Sequence, residues 1–225
     1  MRRRHTKNVT RVTPAVVSVN VGLPREVEWQ GRTVRTGIFK RPVPGPVRVR
    51  RLNLDGDGQA DPTVHGGPSK AVYLYPSEHY AWWREPLGEL AWGAFGENLT
   101  TAGIGEASVR IGDRLRVGTV ELVVTQPRLP CFKLALRFGR TDVEKRFLAS
   151  GRTGFYLSVA VEGEITAGDT VTVAAYPGDT VTVAEVVRLY GAERPDPGTV
   201  SRLAGLPALP ERLREHFRRL GDRAG

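Results

Sequence analysis

Short β-forming runs separated by turn residues fill most of the chain, and this pattern constrains the fold more than any other feature. The 225 residues include 26 glycines and 16 prolines. These fall between short runs of β-branched, aromatic or alternating residues, which are typical of strands. Strands this many and this short predict a mainly β fold built as a barrel or a folded sandwich. The runs are residues 15–21, 27–29, 33–39, 46–54, 71–75, 108–118, 119–126, 154–161 and 169–175.

Two helices are predicted inside this β-rich part. Ser77 is expected to cap a helix over residues 78–85. Thr141 and Glu144 are expected to form a capping box, in which each side chain bonds the other residue's backbone N–H. The helix that follows should stop near Gly151, because glycine commonly ends helices.

The pattern becomes helical beyond the last predicted strand. Thr182 and Glu185 form a second predicted capping box, a short apolar segment follows Pro197, and Pro210 precedes a run with apolar residues on one helical face. A small three-helix unit is therefore expected. The predicted organisation is a basic N-terminal tail at 1–14, a β domain at 15–176 and a three-helix domain at 177–225.

Cys131 is the only cysteine of the chain. A single thiol excludes an intrachain disulfide framework and a zinc site built from several thiolates, and it fits a reducing, cytoplasmic compartment. No run approaches the roughly 18 to 20 apolar residues that span a bilayer, so we expect no membrane association.

Positive charge exceeds negative charge, with 33 Lys and Arg against 24 Asp and Glu, a net charge of +9. Such an excess is compatible with nucleic-acid binding. Much of it lies near the two ends of the chain, and no RNP, zinc-finger or helix-turn-helix pattern accompanies it. These observations argue against nucleic-acid binding as the main function.

Two glycine-containing segments carry groups that could bind a ligand. In His65-Gly66-Gly67, followed by Ser69 and Lys70, backbone N–H groups, a hydroxyl and two possible cations are close together, as in an anion cradle. The second segment, Gly96-Glu97-Asn98, could orient a ligand through hydrogen bonds. For both segments an ordinary glycine turn is the alternative interpretation.

The segment around Cys131 is the third candidate. The cysteine lies between Pro130 and Phe132, with Arg128 and Lys133 within three residues. Nearby cations favour the thiolate, the form that attacks electrophiles and binds soft metals. The segment therefore favours a presented, functional thiol over a buried inert one. A Cys–His hydrolase built from Cys131 and His65 is conceivable, although no family signature supports it.

Taken in order, the three segments carry a resemblance to a known family. They are ADPTVHGGPSKAVY at 60–73, FGENLTT at 95–101 followed by VRIGDRLRVG at 109–118, and QPRLPCFKL at 126–134. Together they resemble the MOSC domain (molybdenum cofactor sulfurase C-terminal domain), in particular its YiiM-type, 6-hydroxylaminopurine reductase-like branch. The helical tail is similar to the three-helix domain that follows MOSC in that branch.

The resemblance implies a β-barrel-like MOSC fold that holds a molybdopterin-type molybdenum cofactor, with Cys131 as the metal ligand. Implied catalytic residues are Cys131, His65 and Asn98. Lys70, Arg128 and the His65-Gly66-Gly67 backbone are candidates for the cofactor phosphate, and Asn98 and Glu97 for its pterin or metal end. Ser69, Lys133 and Lys40 complete the implied cofactor-binding set.

The reaction implied by the resemblance is reduction of an N-hydroxylated compound, such as 6-N-hydroxylaminopurine to adenine, in a detoxification role. Electrons would come from a separate flavoprotein, since the chain has no GxGxxG fingerprint for a flavin or nicotinamide. Two positions depart from the usual family residues: Ser69 stands where an acidic residue is common, and Leu129 where a small polar residue is common. The alternatives are a sulfur carrier with a persulfide on Cys131 and a basic RNA-binding barrel. The oligomeric state is expected to be either a monomer or a homodimer.

Overall fold

A computed structural model describes residues 13–60 and 66–222. Most of the predicted N-terminal tail therefore lies outside the described residues. The strands are β1 (Ala15–Val21), β2 (Arg25–Trp29), β3 (Arg32–Thr36), β4 (Arg41–Pro42), β5 (Val47–Val49), β6 (Val72–Pro76), β7 (Leu99–Ala102), β8 (Arg114–Val117), β9 (Val120–Pro127), β10 (Phe155–Val161), β11 (Gly163–Ile165) and β12 (Val171–Ala174). The helices are α1 (Glu78–Leu87), α2 (Phe132–Phe138), α3 (Val143–Ser150), α4 (Val183–Tyr190), α5 (Pro197–Gly205) and α6 (Glu211–Asp222).

One eight-stranded sheet organises the fold, in the order β12-β8-β9-β10-β6-β7-β1-β4. Its pairs are antiparallel except for β6 and β7, which are parallel. Two-stranded sheets β2-β3 and β5-β11 flank it. The prediction of a β-rich fold with added helices is confirmed.

The sheet is not a closed barrel, which corrects the barrel expectation. Its two ends approach each other at the isolated bridge between Ala15 and Thr170, where Val16 N–H donates to Asp169 O at 2.9 Å. However, β12 pairs with β8 along its whole length and meets the start of β1 only where β12 begins. Beyond that single bridge β12 has no second neighbour among the described strands, so the sheet stays open along this edge.

The turn between β2 and β3 illustrates how sequence determines local structure. Gln30 and Gly31 both have positive φ, at 51° and 73°. Two consecutive positive φ angles characterise the type I′ turn, whose twist matches that of the flanking strands. Gln30-Gly31 therefore closes β2 and β3 into an antiparallel hairpin.

The capping predictions for the first helices are only partly right. Helix α1 follows Ser77, but Ser77 makes no capping hydrogen bond. The predicted Thr141 and Glu144 box is wrong, because Asp142 occupies the N-cap position of α3 and no side chain caps it. The Asp142 carboxylate instead accepts hydrogen bonds from Arg140 at 2.8 and 3.0 Å, and a further bond from Arg146.

The predicted box at the start of α4 is present. Thr182 Oγ1 accepts from Glu185 N–H at 3.1 Å, and Glu185 Oε2 accepts from Thr182 N–H at 2.7 Å. Buried residues of α4, α5 and α6, such as Phe217, belong to the same hydrophobic core as the sheet. This shared core holds α6 against the β domain.

A second, aromatic cluster around Trp83 lies beneath α1 and α3. Among residues 13–60 and 66–222, none of the helices has the length and the apolar composition that a bilayer span requires.

Candidate functional site

Cys131 lies where two cavities meet, directly before α2. The smaller cavity has a volume of about 100 Å³ and the larger one of about 510 Å³. Both are lined by Lys70, Arg128, Cys131 and Tyr156. The thiol is partly exposed. It can therefore be reached from either side, unlike a thiol that only fills a core.

Arg128 places a fixed cation beside the thiol. Its side chain is buried, its Nη2 lies 3.9 Å from Cys131 Sγ, and its Nη1 donates to Leu129 O at 3.1 Å. The guanidinium also lies 5.1 Å from the ring centroid of Phe147, within range of a cation–π contact. Because these contacts hold the guanidinium in place, Arg128 can stabilise negative charge on the sulfur without reorganisation.

A buried ion pair forms another wall of the smaller cavity. Lys40 Nζ donates to Asp57 Oδ1, which also accepts from Gly22 N–H at 3.1 Å. Asn98 Nδ2 donates to Asp57 Oδ2 at 2.8 Å, and Asn98 Oδ1 accepts from Tyr73 N–H at 3.0 Å. Burial lowers the pKa of Lys40, while Asp57 opposes this shift. The pair thus places a lysine proton at the cavity wall.

Two glycines let separate loops approach each other at this cavity. A Cβ on Gly37 would lie 2.6 Å from Gly58 O, and a Cβ on Gly58 would lie 2.5 Å from Pro24 Cδ. Both glycines line the cavity. Any larger residue would push the loops apart.

The first predicted ligand segment is anchored by a residue that the sequence reasoning missed. Gln59 Oε1 accepts from Gly67 N–H at 2.9 Å, and Gln59 Nε2 donates to Leu52 O at 2.8 Å. Of the predicted residues here, Lys70 lines both cavities. Gly66, Gly67 and Ser69 are not among the lining residues, and His65 lies outside the described residues.

Glu97 and Asn98, predicted together, have different positions. Glu97 is fully buried and does not line either cavity; its carboxylate accepts from Tyr80 Oη, from Gly93 N–H at 2.9 Å and from Phe95 N–H at 3.1 Å. Burial raises the pKa of Glu97 against these donors. Glu97 therefore shapes the loop, and the neighbouring Asn98 lines the smaller cavity.

The structure brings six predicted residues to the smaller cavity, namely Lys40, Lys70, Asn98, Arg128, Cys131 and Lys133. Sequence reasoning missed Asp57, Tyr73 and Tyr156, which also line it. Asp57 lies in a polar Gly-Asp-Gly turn whose partners are distant in sequence, so no local pattern identifies it. The two tyrosines occupy predicted strands, where an aromatic residue signals only a β-forming position.

The side chains of the smaller cavity fit the charge and the metal preference of an anionic, sulfur-rich metal cofactor, while its volume of about 100 Å³ holds only part of such a molecule. Its described lining carries four cations, Lys40, Lys70, Arg128 and Lys133, against one carboxylate, Asp57. Cys131 supplies a soft donor. Within residues 13–60 and 66–222 no group of three or more His, Cys, Asp or Glu side chains could hold a metal ion.

Fold and sequence together define the class of protein. The MOSC domain family model matches residues 61–172, and the model of the YiiM-like 3-alpha helix domain matches residues 181–220. MOSC domains are associated with molybdenum cofactor binding in general. The chain belongs to the MOSC family, in its YiiM-like branch.

Known relatives agree with this placement. The uncharacterized protein YflK of Bacillus subtilis is 40% identical over 93% of this chain and 95% of its own length. Protein YiiM of Escherichia coli is 37% identical over 68% of this chain and 70% of its own length. A protein of Gibberella moniliformis named reductase is 35% identical over 79% of this chain, which spans 32% of that relative.

A solved structure shows the same fold. The crystal structure of YiiM from Geobacillus stearothermophilus aligns with a TM-score of 0.76 and 34% identity, over 92% of this chain and 99% of that one. The three-helix tail is therefore shared with a solved relative and is not an isolated extension.

Proposed function

We propose that this protein is a molybdenum-cofactor-dependent reductase of N-hydroxylated compounds, with N-hydroxylated bases such as 6-N-hydroxylaminopurine as substrates and detoxification as its role. The observation that carries the proposal is the position of Cys131. The chain's only thiol is partly exposed at the junction of two cavities and lies 3.9 Å from a buried guanidinium. A thiol needed only for packing requires neither feature.

The cavity residues would divide the work of holding the cofactor. Cys131 would ligate the metal, and Lys70, Arg128 and Lys133 would neutralise the phosphate and the sulfur ligands. Asn98 lines the cavity, but its amide is bonded to Asp57 and to Tyr73 N–H. We therefore assign Asn98 to positioning the ion pair, and not to chemistry. When bound, the cofactor supplies a metal centre that exchanges two electrons and accepts oxygen.

The net reaction is R–NHOH + 2 e⁻ + 2 H⁺ → R–NH₂ + H₂O, so the protein must deliver two protons. Lys40 holds a proton at Nζ, and its pKa, lowered by burial, makes it a better acid than an exposed lysine. Tyr156 lines both cavities, and burial raises its pKa although Arg128 opposes the shift. Its phenol therefore stays protonated at neutral pH and can donate a hydrogen bond. Electrons would come from a separate flavoprotein.

Metal content tests the proposal directly. The protein should be produced in a host that makes the cofactor, and molybdenum should be measured in wild type and Cys131→Ala. We expect the variant to lose most of its molybdenum and all reduction of 6-N-hydroxylaminopurine by an artificial electron donor. Lys133→Ala should lower cofactor retention. Lys145→Ala, on the exposed face of α3, is the matched control and should change nothing.

Two outcomes would contradict the proposal. Equal molybdenum in wild type and Cys131→Ala would remove the thiol from the metal site. Cyanide-releasable sulfur on Cys131 in a protein that never binds molybdenum would instead indicate a sulfur carrier.

A further inference from the structure

The larger cavity lies between the β domain and the last helix. One wall is the segment 126–131 that ends at Cys131, and the opposite wall is α6. Helix α6 contributes Arg212, His216 and Arg219. These positions are spaced by four and three residues, so they share one helical face. A helix of the C-terminal unit thus contributes directly to the space in front of the thiol.

The chemistry of this cavity is both cationic and aromatic. Its described lining includes four Arg and Lys side chains and no carboxylate. The Arg219 side chain is exposed and lies 3.8 Å from Glu215, a contact that contributes little in water. The Tyr190 and His216 rings stack with centroids 4.5 Å apart and an angle of 24° between their planes. Tyr156, which lines both cavities together with Cys131, adds an aromatic ring at the thiol end, so the surface suits a ligand that joins a flat ring to an anion.

Size and position restrict that ligand further. The volume of about 510 Å³ lies in the range of roughly 300–1,000 Å³ that is typical of small-molecule sites. The cavity reaches Cys131 at one end and α6 at the other. A free purine base has no charge that needs the arginines of α6. A nucleoside monophosphate has a planar base for the thiol end and a phosphate for the arginine end.

We propose that the larger cavity binds the substrate as a 5′-mononucleotide, with its base toward Cys131 and its phosphate on Arg212 and Arg219. This inference rests on the proposed function for the N-hydroxyl group and for the placement of the base at Cys131, whereas the phosphate contacts do not depend on it. The C-terminal unit then adds a phosphate contact, so a nucleotide carrying the N-hydroxylated base binds more tightly than the uncharged base. Arg212 and Arg219 are binding residues, with no part in electron or proton transfer.

Binding can be tested without turnover. Isothermal titration of the holoprotein should use adenosine 5′-monophosphate, the product of the proposed reaction, and adenosine as the uncharged probe. We expect the monophosphate to bind about tenfold more tightly. Arg212→Ala combined with Arg219→Ala should remove that preference while adenosine binding stays the same. Arg218→Ala, on the same helix but outside the cavity lining, is the matched control and should keep the preference.

Two results would overturn the inference. Equal affinity for the monophosphate and adenosine in wild type would show that the cavity does not select a phosphate. Loss of molybdenum from the double variant would show that the arginines hold the cofactor phosphate instead. Since both arginines are exposed, the double variant should fold, and Arg219→Glu alone provides a second variant with the same expected loss. If the monophosphate binds but no N-hydroxylated compound is reduced, the proposed function fails and the nucleotide site stands.

Discussion

Replacing Asp57 with Asn tests the electrostatic centre of the smaller cavity. In the part of the chain that the structure describes, Asp57 is the one carboxylate that lines this cavity. Its side chain is 4% exposed and that of Lys40 is 8% exposed, so water screens the pair poorly. The substitution leaves the Lys40 ammonium buried without its counter-charge and places an amide opposite the donors of Gly22 and Asn98.

Removing one partner of a buried pair costs about 3–5 kcal/mol. Loss of the proton from Lys40 limits this cost, because burial already lowers the pKa of Lys40 and only Asp57 and Glu97 oppose that shift. We therefore expect Asp57→Asn to lose about 3 kcal/mol at pH 7. For a chain of this length the midpoint of thermal unfolding should fall by about 6–12 °C.

The double variant Lys40→Met/Asp57→Asn should be more stable than the sum of the single variants predicts, because it leaves no buried charge. Urea unfolding of the four proteins gives the coupling energy, which we expect to exceed about 1.5 kcal/mol.

The pH dependence of the free energy of unfolding provides a second measurement. Because the folded-state pKa of Lys40 lies below its usual 10.5, the unfolded chain binds more protons between the two values, so stability should rise with pH there. That rise should begin at lower pH in Asp57→Asn and disappear in Lys40→Met. Single-variant effects that add within about 0.5 kcal/mol, with an unchanged pH dependence, would refute the reasoning.

Two further predictions concern the framework of the fold. Gly154→Ala should lose about 3 kcal/mol or more of stability, because Gly154 has a φ of 62° and a Cβ there would collide with a carbonyl oxygen of β6. Gly139→Ala should lose only about 1 kcal/mol, because Gly139 has a similar φ of 66° but open space around the new Cβ. Urea unfolding of both variants measures the difference. Thr182→Ala should lose about 1 kcal/mol through the capping box of α4, measured by thermal unfolding, and Thr182→Ser should keep most of that stability.

The fold was predictable where local chemistry decides it. The β2-β3 hairpin is expected from the β-forming residues on both sides of Gln30-Gly31. The structure has both the antiparallel strand pair and the tight turn. The run at 46–54 shows the limit of this reasoning, because only Val47–Val49 form a strand. The chain turns immediately afterwards, with Arg50 N–H donating to Asn53 O at 2.8 Å. Apolar alternation did not reveal that turn, which contains none of the usual glycine or proline signals.

The site was predictable where a residue type is rare or charged, and not where its role depends on distant partners. Cys131 and its flanking cations stand out in the sequence and do line the cavities. Glu97 and Asn98 are adjacent in the same glycine-containing segment, but only Asn98 lines the cavity. Four donors converge on the buried carboxylate of Glu97, which therefore stabilises the loop. Asp57 bonds Asn98 across 41 positions of sequence. This contact forms only when the chain folds and brings the two loops together, so no residue spacing within one segment predicts it.

The repeated heptapeptide GDTVTVA shows that flanking residues can decide between strand and helix. The copy at 168–174 ends in β12, which pairs with β8, whereas the copy at 178–184 forms one bridge between Thr182 and Arg110 and then enters α4. The seven residues are identical, so their intrinsic propensities cannot distinguish the two outcomes. In each copy, the position three residues after the second threonine lies just outside the repeat. It is Ala175 after the first copy, with Pro177 two residues further on, and Glu185 after the second copy. Only Glu185 can complete a capping box, and its carboxylate accepts the Thr182 N–H at 2.7 Å. A helix start is therefore specified by the pair of residues that satisfies its free N–H groups, and the same apolar pattern without that pair stays in the sheet.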